Sequence, residues 1–399
     1  MTARIVVSVS TAPDEAQAAR ELAGTLRQQA AGATVRGGLV YATIGVRTEA
    51  LQRALVEQLP GVPFIGATSC QGVGSPRGFH TERVVSALWF VGDGFRFGVS
   101  ASARPADVHE QGRALAREAL QHGNMAPEDV RFAIVHATPG EEESLLAGFT
   151  DVLPRRTVIV GGSAADNDIS GQWSVWSSTG FHPTGAVLAV CDWPWRLGAI
   201  CQGGYLVTRR QGIVTRAEGR TLYTIDGRPA AEVYNEWLDG QLQPFLESGG
   251  AVLGKTTLCP LGVPRQTDGY DTHLIVHPEK VLLPERALTL FADVKEGERL
   301  VLMRSTEGTL VTQGGRLAEW ALGSSGIPRN ELAGALLVYC AGCMLTIQRH
   351  IPEMLQGFQR VVGQTPFVSL FTFGEQGCVM PERPEHGNLM TSLLLLGNR

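Results

Sequence analysis

The sequence predicts an α/β protein in which one strand-helix-strand module recurs, its copies forming mixed sheets covered by helices. Two observations carry this. An apolar strand, a helix-patterned stretch and a second strand ending in small residues follow one another three times. The strands are almost wholly apolar, as expected where a sheet is covered on both faces.

The first copy runs LVYATIG from Leu39, a helical stretch over 49–58, then VPFIGATSCQG from Val62. The second runs FAIVHATPG from Phe132, helical EEESLLAGFTDVL, then TVIVGGSAADND from Thr157. The third runs GALLVYCAGC from Gly334, a helical stretch over 345–358, then TPFVSLFTFGEQG from Thr365. Each leads into a further strand announced by a histidine: His80 in GFHTERVVSALWF, His182 in GFHPTGAVLAV and His386 in EHGNLMTSLLLLG. Short units of this kind favour parallel pairing with right-handed crossovers, and the later strands should add antiparallel hairpins. Ligands bind such sheets beyond the carboxyl ends of the strands, so the three glycine-rich ends compete to line one pocket.

Residues 200–330 depart from the repeat. GRTLYTIDGRPAAEVYNEWL reads as a strand pair, a turn at Asp226-Gly227 and a helix starting near Pro229. A boundary is expected close to Gly203-Gly204, giving domains 1–203 and 204–399 with internal pseudo-symmetry.

A length of 399 residues suits two or three domains, and 44% hydrophobic with 18% charged residues suits a globular chain. Net charge −5 supplies no positive field for phosphates, so nucleic acid is not an expected partner. The start, Met1 to Ser8, lacks the run of about seven apolar residues of a signal peptide, and nothing approaches the roughly 18 of a membrane span. A soluble, cytoplasmic protein with reduced cysteines is expected.

The segments IGATSCQG (65–72), VGGSAADND (160–168), IDGRPAAEVY (225–234), LLVYCAG (336–342), and GEQG followed by His386-Gly387-Asn388 resemble the FIST family, in order and over nearly the whole chain. The resemblance implies an N-type and a C-type FIST domain in a bacterial intracellular sensor of a small ligand, an amino acid or similar metabolite. Some relatives resemble haem-binding nitric-oxide sensors acting on histidine kinases and cyclic-dinucleotide enzymes. With no kinase, GGDEF or DNA-binding segment in this sequence, output would pass through a separate partner. Two departures stand out. Cys343 replaces the arginine that the family tends to carry after Cys340-Ala341-Gly342, and Gly387 splits the histidine-asparagine pair. Loss of that planar donor fork weakens a carboxylate-binding reading.

The new CxxC, Cys340 and Cys343, sits where a strand meets a helix, and a helix N-terminus favours thiolate. Cys70 and Cys378 occupy matching offsets from Gly66 and Gly374, so pseudo-symmetry would permit a soft-metal site of Cys70, Cys340, Cys343 and Cys378. Structural cysteines filling tight turns are the alternative. His80, His182 and His386 either anchor their strands or contact a ligand, with His182 and His386 the candidates for haem ligation. His273 and His277 read as one face of a strand about 13 Å apart, too far for a shared metal. Asp166, Asn167, Asp168 and Glu375 follow the glycine turns and could bind an amine, hold a metal or act as acid and base, and turn formation explains Asp and Asn almost as well. Glu141-Glu142-Glu143 reads as a helix first turn without chemistry, and Trp173, Trp176, Trp193 and Trp195 as a pocket floor, core or interface. No GxSxG, P-loop, dinucleotide or HExxH pattern occurs.

The leading expectation is a sensor whose pocket is lined by Cys70, Gly162, Ser163, Asp166, Asn167, Cys340, Gly374, Glu375 and His386. A metal- or haem-dependent enzyme using the cysteines, with Glu375 as acid or base, is the alternative. A partner-binding protein built on the tryptophans is a third.

Overall fold

The structure, a computed structural model, describes residues 3–267, 270–380 and 382–398. Three six-stranded sheets share one plan. The first runs Arg4–Ser10, Val85–Val91, Val35–Ala42, Phe64–Thr68, Val175–Ser177, Gly180–His182. The second runs Arg383–Gly387, Glu375–Met380, Val158–Gly162, Phe132–Ala137, Gly185–Cys191, Phe97–Ala103. The third runs Leu197–Gly203, Met390–Gly397, Leu332–Cys340, Phe367–Thr372, Gly72–Ser75, Gly78–Thr81. In each, the two strands of the predicted module pair in parallel and their outer neighbours are antiparallel.

The repeat is therefore real, but the segment announced by each histidine is not one strand. GFHT (78–81) closes a hairpin on the third sheet, whereas Val85–Val91 returns to the middle of the first. Likewise His182 lies in a hairpin added to the first sheet, and His386 in one added to the second. Each module thus gives its hairpin to a neighbour in a closed cycle of three. A hairpin alone is marginally stable in water, and pairing with a neighbour's strand supplies the ladder that it lacks.

The inner faces of the three sheets bury a common core that includes Leu39, Tyr41, Ile134, Val160, Leu336, Val338 and Leu370. Helices cover the outer faces: Glu15–Ala30 with Thr48–Gln58, Val108–Gly123 with Glu142–Thr150, and Glu307–Ser325 with Ile351–Val362. Burial on both faces explains the absence of polar alternation, as in Leu332–Cys340, where every residue is buried. The first helix of each of these pairs starts on a side-chain cap: Asp14 accepts from the Gln17 amide at 2.8 Å, Asp107 from Glu110 at 2.9 Å and Thr306 from Thr309 at 3.2 Å. Trp176 and Trp193 belong to this framework. Both are fully buried, and the Trp193 indole donates to the Gly397 carbonyl at 3.0 Å. Trp195 stacks edge-on against Trp193, and Trp173 against Phe373.

A fourth sheet of nine strands fills the interval between Leu197–Gly203 and the helix Glu307–Ser325. Its strand Thr221–Ile225 pairs antiparallel with Arg228–Pro229 across the turn at Asp226 and Gly227, both with positive φ, and Ala230–Trp237 is helical, as the sequence suggests; the other side of Thr221–Ile225 pairs with Leu206–Glu218. His273 lies on the strand Tyr270–Val276, and buried His277 just beyond it bonds Thr256 Oγ1 at 2.9 Å. No helix among the described residues is long and apolar enough to cross a membrane.

Buried Glu15 ties this framework together at its first helix. Its carboxylate accepts from Arg47 at 2.6 Å and Arg83 at 2.8 Å. Burial opposes ionisation, but the Arg47 and Arg83 hydrogen bonds outweigh it and hold the carboxyl down to about 2. This contribution is present above the ordinary glutamate range and is lost as pH falls toward 2. Glu15→Gln is expected to lower stability by about 1–3 kcal/mol at pH 7, with the gap to wild type closing below pH 3 in urea titrations.

Candidate functional site

The three glycine-rich strand ends do converge. They are, however, sewn directly together: Ala165 N donates to Thr68 O at 3.0 Å, Ser163 N to Gly374 O at 2.9 Å and Cys70 N to Phe371 O at 3.0 Å. Apart from Asn167, which is exposed, the residues expected to line a pocket there are buried. Gly162 packs against Thr372, where an added Cβ would come within 2.6 Å. The Asp166 carboxylate gathers the amides of Ile169 at 2.6 Å, Gly171 at 2.8 Å and Gln172 at 2.9 Å, shaping its own loop. Asn167 accepts from the Gln71 amide at 2.7 Å. Glu375 accepts from Thr372 Oγ1 at 2.8 Å and the Met390 amide at 2.9 Å, and burial pushes its carboxyl well above the ordinary range.

The cysteines separate into two places. Cys340 and Cys343 lie beside Tyr205, whose hydroxyl is 3.5 Å from Cys343 Sγ, with Cys70 nearby. Burial pushes the Cys340 thiol well up and that of Cys70 up to about 12, so the thiolate character expected of a helix start is reversed by desolvation. Cys378 lies elsewhere, on a half-buried wall of a surface groove. Among the described residues, no three His, Cys, Asp or Glu side chains are grouped to hold a metal.

His182 and His386 sit on edge strands of different sheets. Both His386 nitrogens are engaged. Nε2 lies 3.2 Å from the Phe291 carbonyl, to which it can donate, and Nδ1 lies 3.1 Å from the Gln376 side-chain amide. Haem does not fit at His386, because neither nitrogen offers iron a lone pair without breaking this network.

Among these expected site residues, His386 alone lines the large cleft, a space of about 810 Å³. One wall is the helix Glu142–Thr150, another is the hairpin of Glu375–Met380 and Arg383–Gly387, and the third comes from the fourth sheet through Arg265, Leu274, Asp293, Lys295 and Glu298. The wall of the helix is anchored by Glu142, 1% exposed in its side chain, which accepts from Ser163 Oγ at 2.5 Å and from Arg220 at 2.7 Å. Gln376 joins the chain, donating to Ser163 Oγ at 3.0 Å. Arg220 also meets Glu143 at 2.7 Å and Asp293 at 3.7 Å. Burial resists ionisation of Glu142, but His386, Arg220 and the Ser163 hydrogen bond hold its carboxyl well below the ordinary range. For Asp293, burial and the neighbouring Glu143 push the carboxyl up, against Arg220. Across the cleft, Arg265 pairs with Glu385 at 2.8 Å and Glu298 at 3.4 Å.

Glu142 and Glu143 therefore do more than complement a helix dipole; Arg220, Asp293 and Arg265 lie outside the repeat, and Gln376, within its GEQG end, carried no expected role. The signal available for Glu142 was position, a carboxylate three residues after the strand-end turn Thr138-Pro139. Chemically, the cleft offers cations and carboxylates on facing walls with the His386 imidazole at the floor, which suits a small polar molecule.

Over its whole length, and over all of theirs, the chain aligns with a cyanuric acid hydrolase from A. caulinodans (10% identity, TM-score 0.42) and with a second cyanuric acid hydrolase (8%, 0.40). No curated protein matches it. The model of the FIST N domain matches residues 36–228 and that of the FIST C domain residues 230–378. These are domains associated with sensory signalling, and together the two matches place the chain in the FIST family.

Proposed function

We propose that this protein senses a small polar ligand in the cleft above His386 and passes the signal to a separate protein, such as a histidine kinase. The observation carrying the reading is that three independently connected parts meet there: the second module's helix, the third module's exchanged hairpin and the fourth sheet. A ligand that contacts all three changes the balance between docked and loosened arrangements of the fourth sheet, in proportion to its differential affinity. Cations from Arg265 and Lys295, with carboxylates from Asp293 and Glu143, favour a ligand carrying both an anionic and a cationic or donor group.

Thermal melting of the purified protein against a metabolite panel is the test. At least one compound is expected to raise the melting temperature, with about 2.7 kcal/mol gained at a hundredfold excess over Kd, and Asp293→Asn is expected to reduce the gain. A flat response across the panel would sink the reading.

A further inference from the structure

A second groove, of about 580 Å³, adjoins the ligand cleft, and Arg155 and Glu382 line both. One side of it is Leu197–Gly203, the terminal strand of the third sheet. Gly397 N donates to the Arg196 carbonyl, so by antiparallel alternation residues 198 and 200 face their partner strand while the backbone groups of Leu197 and Ala199 point outward. Trp320, 47% exposed, on the helix Glu307–Ser325, lines the same groove. The half-buried Leu197, Ala199 and Val158 form the apolar floor. The exposed Arg155 and Arg156 stand at the rim.

An outward row of backbone donors and acceptors beside apolar side chains is a template for one more strand. We propose that this groove docks an extended, acidic segment of the signalling partner as an added strand, with an apolar side chain against Trp320 and carboxylates on Arg155 and Arg156. The inference rests on the sensing reading for its purpose. A segment bound here shares the wall formed by Arg155 and Glu382 with the ligand, which couples the two sites.

The test uses the full chain without ligand, so its outcome is independent of whether a metabolite is found. Random ten-residue peptides displayed on phage are selected against wild type, then synthesised with a fluorescent label and titrated by polarisation. Enriched sequences are expected to alternate apolar and polar residues with acidic flanks. Binding should weaken at least tenfold in Trp320→Ala and in Arg155→Glu, both at exposed positions, and in Ala199→Pro, which removes an outward amide. Melting curves establish that each variant is folded. Failure to enrich any such peptide, or binding unchanged in folded Trp320→Ala and Arg155→Glu, overturns the proposal. So does a concentration-dependent dimer, seen by sedimentation, that Trp320→Ala dissolves, since the groove would then belong to a second copy of this chain.

Discussion

Arg220→Met is expected to destabilise the protein by about 3–5 kcal/mol and to loosen the fourth sheet from the second module. Arg220 is the cation that Glu142 and Glu143 share, and Glu142 is too buried for water to replace it. Removing the guanidinium leaves two carboxylates side by side with Asp293 close by. The cost arises mainly from stranding Glu142, so Glu142→Gln in the same chain should recover a large part of it, a non-additivity that a double-mutant cycle measures. The pH dependence has a defined sign. Glu142 is held below the ordinary glutamate value of about 4.3, so its contribution is present above that value and is lost as pH falls below it. Urea titrations from pH 7 to pH 3 should show wild type losing stability faster than Arg220→Met. A variant within 1 kcal/mol of wild type at pH 7, by the same measurement and roughly the noise of an extrapolated value, would show that the ion cluster contributes little.

Gly374→Ala is expected to have the second largest effect. Gly374 holds φ +98°, a conformation that a Cβ makes costly, and that Cβ would lie 2.4 Å from His386 Cε1 and 3.1 Å from the Asn388 amide nitrogen. Backbone strain alone costs about 1–3 kcal/mol, and relieving the clash requires moving His386 from its bonds to Gln376 and Phe291. Lower stability should therefore accompany a changed His386 environment, seen as a shift in its imidazole NMR resonances. The same strand end donates and accepts the backbone bonds that join it to Ser163, so the disturbance should reach the second module. Wild-type stability with an unmoved His386 resonance would contradict this account of Gly374.

The exchanged hairpins explain why one turn residue in the third module governs a wall built on the second. Glu375–Met380 follows its own module's last parallel strand in sequence but pairs with Val158–Gly162. Gly374 is the pivot of that crossing. The equivalent crossings occur after Thr68, where Cys70 N reaches Phe371 O, and after Gly162, where the loop ordered by Asp166 leads to Val175–Ser177.

By itself the sequence determined the threefold repeat, the burial of its strands on both faces, the turn at Asp226-Gly227 and the equivalence of His80, His182 and His386. All of these are local patterns: period, composition and turn chemistry, set by residues near one another in the chain. It also brought the right strand ends to one place, since equivalent modules place equivalent ends together. Only the tertiary structure decided that those ends close on each other, that Cys378 parts from Cys340, and that burial raises the Cys340 thiol, which the helix start was expected to ionise. The cleft itself is of this second kind. Arg220 reaches Glu142 across 78 positions and His386 reaches Phe291 across 95, and contacts at such separation leave no mark on the periodicity of either segment.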